Sequence, residues 1–275
     1  MRWPLRLLAL VVILFAALWL VPQPSHDRNW AADHARTSTT TPTIPIILSD
    51  VRDWSYAEDG TVTDESWITA EVDPRNLTRV WFVVEPFTTY EAVAHTMLAF
   101  EFTDGTALVA SVEARREKGE TYQPIRAALM PTFEYLVVWA TERDMYANTV
   151  YWAKGELFMY PLDLSTEQAQ AILGAMLDLT QSVADRPRWY HTFFSNCANV
   201  LACTVNDLTP GAVPRSLAWY LPGYADSYLY DLGYIPGDSF TAAEASANAT
   251  EATKTALPGP PVAFPTRLRT ALNDR

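Results

Sequence analysis

The stretch Arg188-Trp189-Tyr190-His191-Thr192-Phe193-Phe194-Ser195-Asn196-Cys197-Ala198-Asn199-Val200-Leu201-Ala202-Cys203 organises the reading of the whole chain. Ser195 and Asn196 are strong helix N-caps, because a short side-chain oxygen accepts from the first free backbone N–H groups. Residues 198–208 then place Val200, Leu201, Thr204, Val205 and Leu208 at helical spacing. Cys197 falls in the first turn. There the free N–H groups and the positive end of the helix dipole favour an anion. A thiol so placed ionises more easily, and the thiolate is the nucleophile. The plain alternative is a small, buried, inert cysteine. Cys203 serves as a comparison. It lies six residues on, roughly 9 Å along the axis and about 240° around it, outside disulfide reach. It reads as core packing.

Composition narrows the classes. The chain has 275 residues, is 49% hydrophobic and carries ten Trp, enough for one sizeable domain with appendages. A net charge of −12 and the absence of a basic stripe argue against nucleic acid as a partner. The sequence holds no Gly-rich phosphate loop, no zinc-type Cys/His array and no internal repeat, so neither a metal nor a cofactor is expected.

Outward from the cysteine stretch, the N-terminus is the next informative region. Arg2 and Arg6 precede an unbroken apolar run over residues 7–21, with Trp3 and Trp19 near its ends. Residues 1–24 are thus expected to form a transmembrane signal anchor with its N-terminus in the cytoplasm. A cleaved signal peptide is the competing reading, although Val21-Pro22-Gln23-Pro24 is a poor cleavage site. Residues 25–43 are polar, with Ser and Thr prominent, and read as a flexible linker in which His26 and His34 are solvated. The catalytic domain is expected over residues 44–236. Strands are expected at 76–84, 94–102, 107–114, 133–141 and 156–160, with Asp104-Gly105 as the turn of a hairpin. Residues 165–179 read as a helix with Ser165 and Gln168 forming a capping box. Residues 208–234 read as irregular wrapping. The Ala-, Thr- and Pro-rich residues 237–275 read as a disordered tail.

A thiol nucleophile needs a base near neutrality, and only His95 and His191 fall within the expected domain. His191 is close to Cys197 along the chain, while His95 sits inside a strand; on spacing alone both remain candidates.

Three motifs carry a resemblance. His95-Thr96-Met97-Leu98-Ala99-Phe100, Ser111-Val112-Glu113-Ala114-Arg115-Arg116-Glu117-Lys118-Gly119-Glu120-Thr121-Tyr122 and Asn196-Cys197 follow one another in this order. Glu142-Arg143-Asp144 and Leu221-Pro222-Gly223-Tyr224 extend the pattern. Together they resemble the bacterial Lnb-type N-terminal periplasmic domain family, related to lipoprotein N-acyltransferases. The resemblance implies an α+β, papain-like fold in the permuted order of NlpC-type peptidases and lecithin-retinol acyltransferases. An antiparallel sheet carrying His95 would pack on the Cys197 helix. It implies Cys197 as nucleophile, His95 as base and Glu113 as the group orienting the imidazole. Arg115, Asn196, Tyr190, His191 and Tyr122 are the implied supporting or substrate-binding positions, with Arg115 backing Glu113 or binding an anionic group.

Two departures from the family pattern matter. The family usually has Asn where His191 stands, which keeps His191 as a second candidate base. A two-residue Asp104-Gly105 turn would set His95 opposite Ala114, leaving Glu113 facing away, and only a bulge or a longer loop would bring it back. The expected activity is that of a membrane-anchored extracytoplasmic thiol acyltransferase on phospholipid or lipoprotein acyl groups. The alternatives are a papain-like amidase or peptidase of the cell envelope and a non-catalytic envelope module. Contact between His95 and Cys197 separates the first two from the third.

Overall fold

The computed structural model describes Arg6, Val12, residues 23–87 and residues 90–274. The anchor expected over residues 1–24 therefore lies outside the described residues, Arg6, Val12, Gln23 and Pro24 excepted. Among the described residues no helix is long and apolar enough to cross a membrane.

In chain order the elements are β1 (Thr39–Thr40), β2 (Ile46–Tyr56), β3 (Val62–Val72), β4 (Leu77–Pro86), β5 (Ala94–Phe102) and β6 (Ala107–Arg115). They continue with α1 (Pro124–Leu129), β7 (Glu134–Thr141), α2 (Glu142–Ala147), β8 (Phe158–Pro161), α3 (Thr166–Asp185) and α4 (Cys197–Leu208). The chain ends in the short helices α5 (Ala225–Asp231), α6 (Phe240–Ala247), α7 (Thr250–Ala256) and α8 (Phe264–Asn273). The eight strands form one sheet in the order β1-β2-β7-β6-β5-β4-β8, with β3 paired to β2. The fold is thus mixed α+β. Its sheet is antiparallel except where β2 runs parallel to β7, which departs from the wholly antiparallel expectation.

Both faces of the sheet are covered. Leu98, Phe100, Ala110, Val112, Val137 and Trp139 pack on one side with α3 and α4. Their neighbours Met97, Ala99, Val109, Leu136, Val138 and Ala140 pack on the other with α2, α7 and α8. This alternation is the period-two geometry of strands. It explains why residues 94–102 and 107–114 read as near-continuous apolar runs. Ser165 caps α3 in a complete capping box with Gln168, as its spacing predicts.

Two segments differ from expectation. Residues 25–43 are packed as a strap. Arg115 is 2% exposed and donates from Nε to the His34 carbonyl at 2.9 Å and from Nη2 to the Ala35 carbonyl at 3.1 Å. Its guanidinium also lies 4.2 Å from the Trp30 ring centroid. A buried guanidinium needs acceptors, and the strap's carbonyls supply them. His34 is buried, and His26 Nε2 lies within 3.1 Å of the Val183 and Ala184 carbonyls, so neither is a solvated linker residue.

The tail also folds back. Ala249, Ala252, Ala256, Phe264 and Leu268 are buried under the sheet. Alanine-rich helices have little side-chain bulk, so they approach the sheet closely even though their composition reads as low complexity. β2 and β3 were missed because charged and polar residues are interleaved through Ile46–Tyr56 and Val62–Val72.

A buried ion pair fastens the tail. Arg269 on α8 donates to Glu142 at 2.8 and 3.1 Å, and the Glu142 carboxylate is fully buried. Arg269→Ala is expected to cost about 3–5 kcal/mol, because it strands a buried charge. The double variant Arg269→Ala/Glu142→Leu should recover most of that loss in urea unfolding. Equal midpoints for wild type and Arg269→Ala would show that the pair holds nothing.

Candidate functional site

α4 begins where its sequence predicts. Asn196 is the N-cap, its Oδ1 accepting from the Asn199 N–H at 2.7 Å. Its Nδ2 donates to the carbonyls of Thr192 (2.8 Å) and Trp219 (3.1 Å). One buried amide thus ties the start of α4 to the loops on either side of it. Cys197 is the first residue of the helix and is 3% exposed.

His95 comes to it from β5. The hairpin closes with Phe102 N–H donating to Thr106 at 2.9 Å and Gly105 N–H to Phe102 at 3.0 Å, with Gly105 at φ +80°. Three residues therefore form the loop, not two. A left-handed glycine is what such a loop needs. The register becomes Met97 opposite Ser111 and Glu101 opposite Ala107. Continued by one same-face step, it sets His95 opposite Glu113. The expectation that Glu113 faces away is thus corrected by one residue of loop.

The side chains follow. His95 Nε2 lies 2.6 Å from Ser111 Oγ and 3.1 Å from Glu113 Oε1, and Ser111 Oγ donates to Glu113 Oε1 at 2.6 Å. With Nε2 so engaged, Nδ1 is the ring nitrogen left for the thiol. Burial pushes the Cys197 thiol up, but the charge of His95 and a hydrogen bond to it more than offset this. The thiol ends below its ordinary range, with smaller contributions of the same sign from Thr96. Burial likewise disfavours charge on His95, and Glu113 and Cys197 outweigh it, so the imidazole is held well above its usual range. Glu113 is half-buried, which pushes its carboxyl up, yet His95 and Ser111 outweigh this and hold it far below the ordinary carboxylate range. All three shifts favour the charged form of their group, the direction in which a thiolate–imidazolium pair backed by a carboxylate is stabilised.

The remaining expected residues separate into two groups. Tyr190, Tyr122 and Asn196 line the same cleft of about 450 Å³ as Cys197, His95 and Glu113. Tyr122 stands edge-on to Tyr190 with ring centroids 5.9 Å apart. Arg115 is not among the lining residues and holds the strap instead, so it neither backs Glu113 nor faces a substrate. His191 turns elsewhere as well. Its Nδ1 accepts from the Phe193 N–H at 3.1 Å and its ring lies 4.6 Å from that of Phe194. Cys203 is exposed, which corrects its reading as core.

Sequence reasoning assigned no role to three residues of the site. Ser111 bridges base and carboxylate. Glu85 pairs directly with His95 across β4 and β5, and burial raises its carboxyl. His34 comes from the strap, lines the cleft and is held down to about 4, chiefly by burial. The hairpin register would have revealed Ser111, whereas nothing local marks His34. Glu142-Arg143-Asp144 is structural. Asp144 takes two hydrogen bonds from Arg52, at 2.8 and 3.1 Å, and one from Trp54 N–H. In Leu221-Pro222-Gly223-Tyr224, Gly223 packs so tightly that an added Cβ would sit 1.6 Å from the Glu91 carbonyl, just ahead of His95. Among the described residues no group of three or more His, Cys, Asp or Glu is arranged to hold a metal ion.

Thiol reactivity tests this arrangement. A lowered pKa means that thiolate persists to lower pH. Cys197 is thus expected to react with iodoacetamide at a pH below that needed by an ordinary thiol, and Cys203, whose thiol is shifted upward, only at a higher pH than Cys197. His95→Ala should abolish the low-pH phase. Glu113→Gln should slow it several-fold and move it to higher pH, and His191→Ala should leave it. Equal labelling of both thiols along one pH curve would refute the ion pair. Gly223→Ala is expected to destabilise the fold by about 1–3 kcal/mol and to slow Cys197 labelling, because the loop before His95 must move. Unchanged stability and labelling would mean that the close approach is not needed.

Searches of curated proteins and of solved structures returned no match. A family model does match, over residues 63–221, and its span holds the Asp104-Gly105 hairpin, His95, Ser111, Glu113 and the start of α4. It covers more than half of the chain, and the protein belongs to the Lnb N-terminal periplasmic domain family.

Proposed function

We propose that this protein is an extracytoplasmic, membrane-anchored thiol acyltransferase that moves acyl groups of phospholipids or lipoproteins through Cys197, within a papain-like site. The observation that carries the reading is the contact of a thiol at a helix start with a histidine that is itself held by a carboxylate. That is the arrangement an activated sulfur nucleophile requires. The family's periplasmic character and the apolar run over residues 7–21 support a site held outside the cytoplasm beside the inner membrane.

In the proposed reaction the Cys197 thiolate attacks an ester carbonyl. The Cys197 N–H at the head of α4 faces the oxyanion that forms. The His95 imidazolium gives its proton to the departing alcohol, and a thioester remains on Cys197. An amine acceptor then attacks the thioester, loses a proton to His95 and releases the thiolate. Glu113, through Nε2 and Ser111, keeps the ring oriented and its charge stabilised across both halves.

The test uses the full chain in proteoliposomes with diacyl phospholipid and a lyso-lipopeptide amine acceptor, read by mass spectrometry. Acylated lipopeptide is expected from wild type, and Cys197→Ala and His95→Ala should each lose at least about 100-fold. Free fatty acid without acylated acceptor would instead favour an envelope hydrolase or amidase. Products equal to those of Cys197→Ala would end the enzyme reading.

A further inference from the structure

The mouth of the cleft is ringed by apolar side chains that face solvent. Phe87, Trp152 and Phe193 line the cleft and are 47%, 53% and 42% exposed. Beside them stand Phe194 at 69% and, on α1, Ile125 and Leu129, each at 78%. On α1, residues i and i+4 share a face. Ile125 and Leu129 thus point one way while buried Ala127 points to the core. The two apolar pieces are joined, since Thr192 Oγ1 donates to the Pro124 carbonyl at 2.7 Å. A cluster of large apolar groups around one opening marks an interaction surface.

The chain's own layout indicates what meets it. The apolar run ends at Val21, and four residues later Ser25 N–H is bonded to Glu134 Oε1 at 2.8 Å. Four residues span at most about 14 Å. Arg28 then lies over Trp189 at 5.3 Å, and Trp189 opens the loop that carries Phe193 and Phe194. Glu134 follows directly after α1 and the turn at its end. The segment that would enter a bilayer therefore joins the domain beside both halves of the apolar ring. With a net charge of −12 the chain has no general attraction to an anionic surface, so contact would have to be apolar and local.

We propose that this ring docks on the lipid surface and sets the cleft mouth against the bilayer. An acyl donor could then reach Cys197 without crossing water. The inference deepens the acyl-transfer reading but is tested without catalysis, so the two can fail separately.

The full chain carrying Cys197→Ser and Cys203→Ser is reconstituted in phosphatidylcholine vesicles. An environment-sensitive fluorophore is attached at Phe194→Cys, Leu129→Cys or, as the distant control on α7, Lys254→Cys. Phe194 and Leu129 are exposed and Lys254 is half-buried in a surface pair with Glu251, so the substitutions should leave the fold intact, and near-native circular dichroism checks this. Phosphatidylcholine bearing a nitroxide high on the acyl chain is expected to quench at 194 and 129 at least about threefold more than at 254, with blue-shifted emission at the first two. Equal lipid quenching at all three sites would overturn docking. Shielding of 194 and 129 from aqueous iodide without lipid quenching would also overturn it, since the cover would then be protein, either residues 7–21 or a second copy.

Discussion

The site depends on the length of one loop. Side chains of a strand alternate, so moving β6 by one residue against β5 would turn Glu113 from the His95 side of the sheet to the opposite side. Gly105 at φ +80° and the Asp104 side chain, which accepts from the Thr106 N–H at 2.9 Å, hold three residues in the loop. They thereby choose the register in which His95, Ser111 and Glu113 can touch. Everything electrostatic at Cys197 follows from that choice. Without the carboxylate, burial would leave the imidazole neutral, and a neutral imidazole would not hold the thiol ionised.

The cysteine half of the site is governed by local chemistry and was legible as such. An Asn before a Cys at a helix start needs only short-range hydrogen bonds to take up its geometry, and those bonds are present. The family pattern pointed to His95 as base and Glu113 as its orienting group, and the two lie together in the cleft of Cys197, whereas residue spacing alone could not choose between His95 and His191. That choice is tertiary. His191 is spent on its own loop, accepting from Phe193 and lying against Phe194, while His95 is brought over by the sheet.

What could not be read locally shares one physical cause. Arg52, Arg115 and Arg269 are largely buried, and each takes partners 80 or more residues distant in sequence: Asp144, the His34 and Ala35 carbonyls, and Glu142. A polar or Ala-rich segment reads as linker when judged by composition, since its own apolar content cannot offset the entropy of ordering it. Here the strap and the tail are ordered by charges that would otherwise be stranded inside the sheet layers. The strap's docking also brings His34 to the cleft wall beside Glu113, so a segment that looked like a tether forms part of the site.

Depth and chemistry are linked at this site. A thiol that is 3% exposed gains from His95, itself charged through Glu113, a stronger interaction than an open one would, because low polarity and the absence of competing water enlarge each charge's effect. The same burial would oppose ionisation if the partners were missing. Cys203 is exposed, has no histidine beside it, and its thiol is shifted upward by partial desolvation and by Asp207. A nucleophile so enclosed can be reached only through the cleft mouth, so the character of that mouth selects what arrives. The mouth carries Phe87, Trp152 and Phe193 as exposed apolar side chains, while Cys197 lies deeper, at 3% exposure.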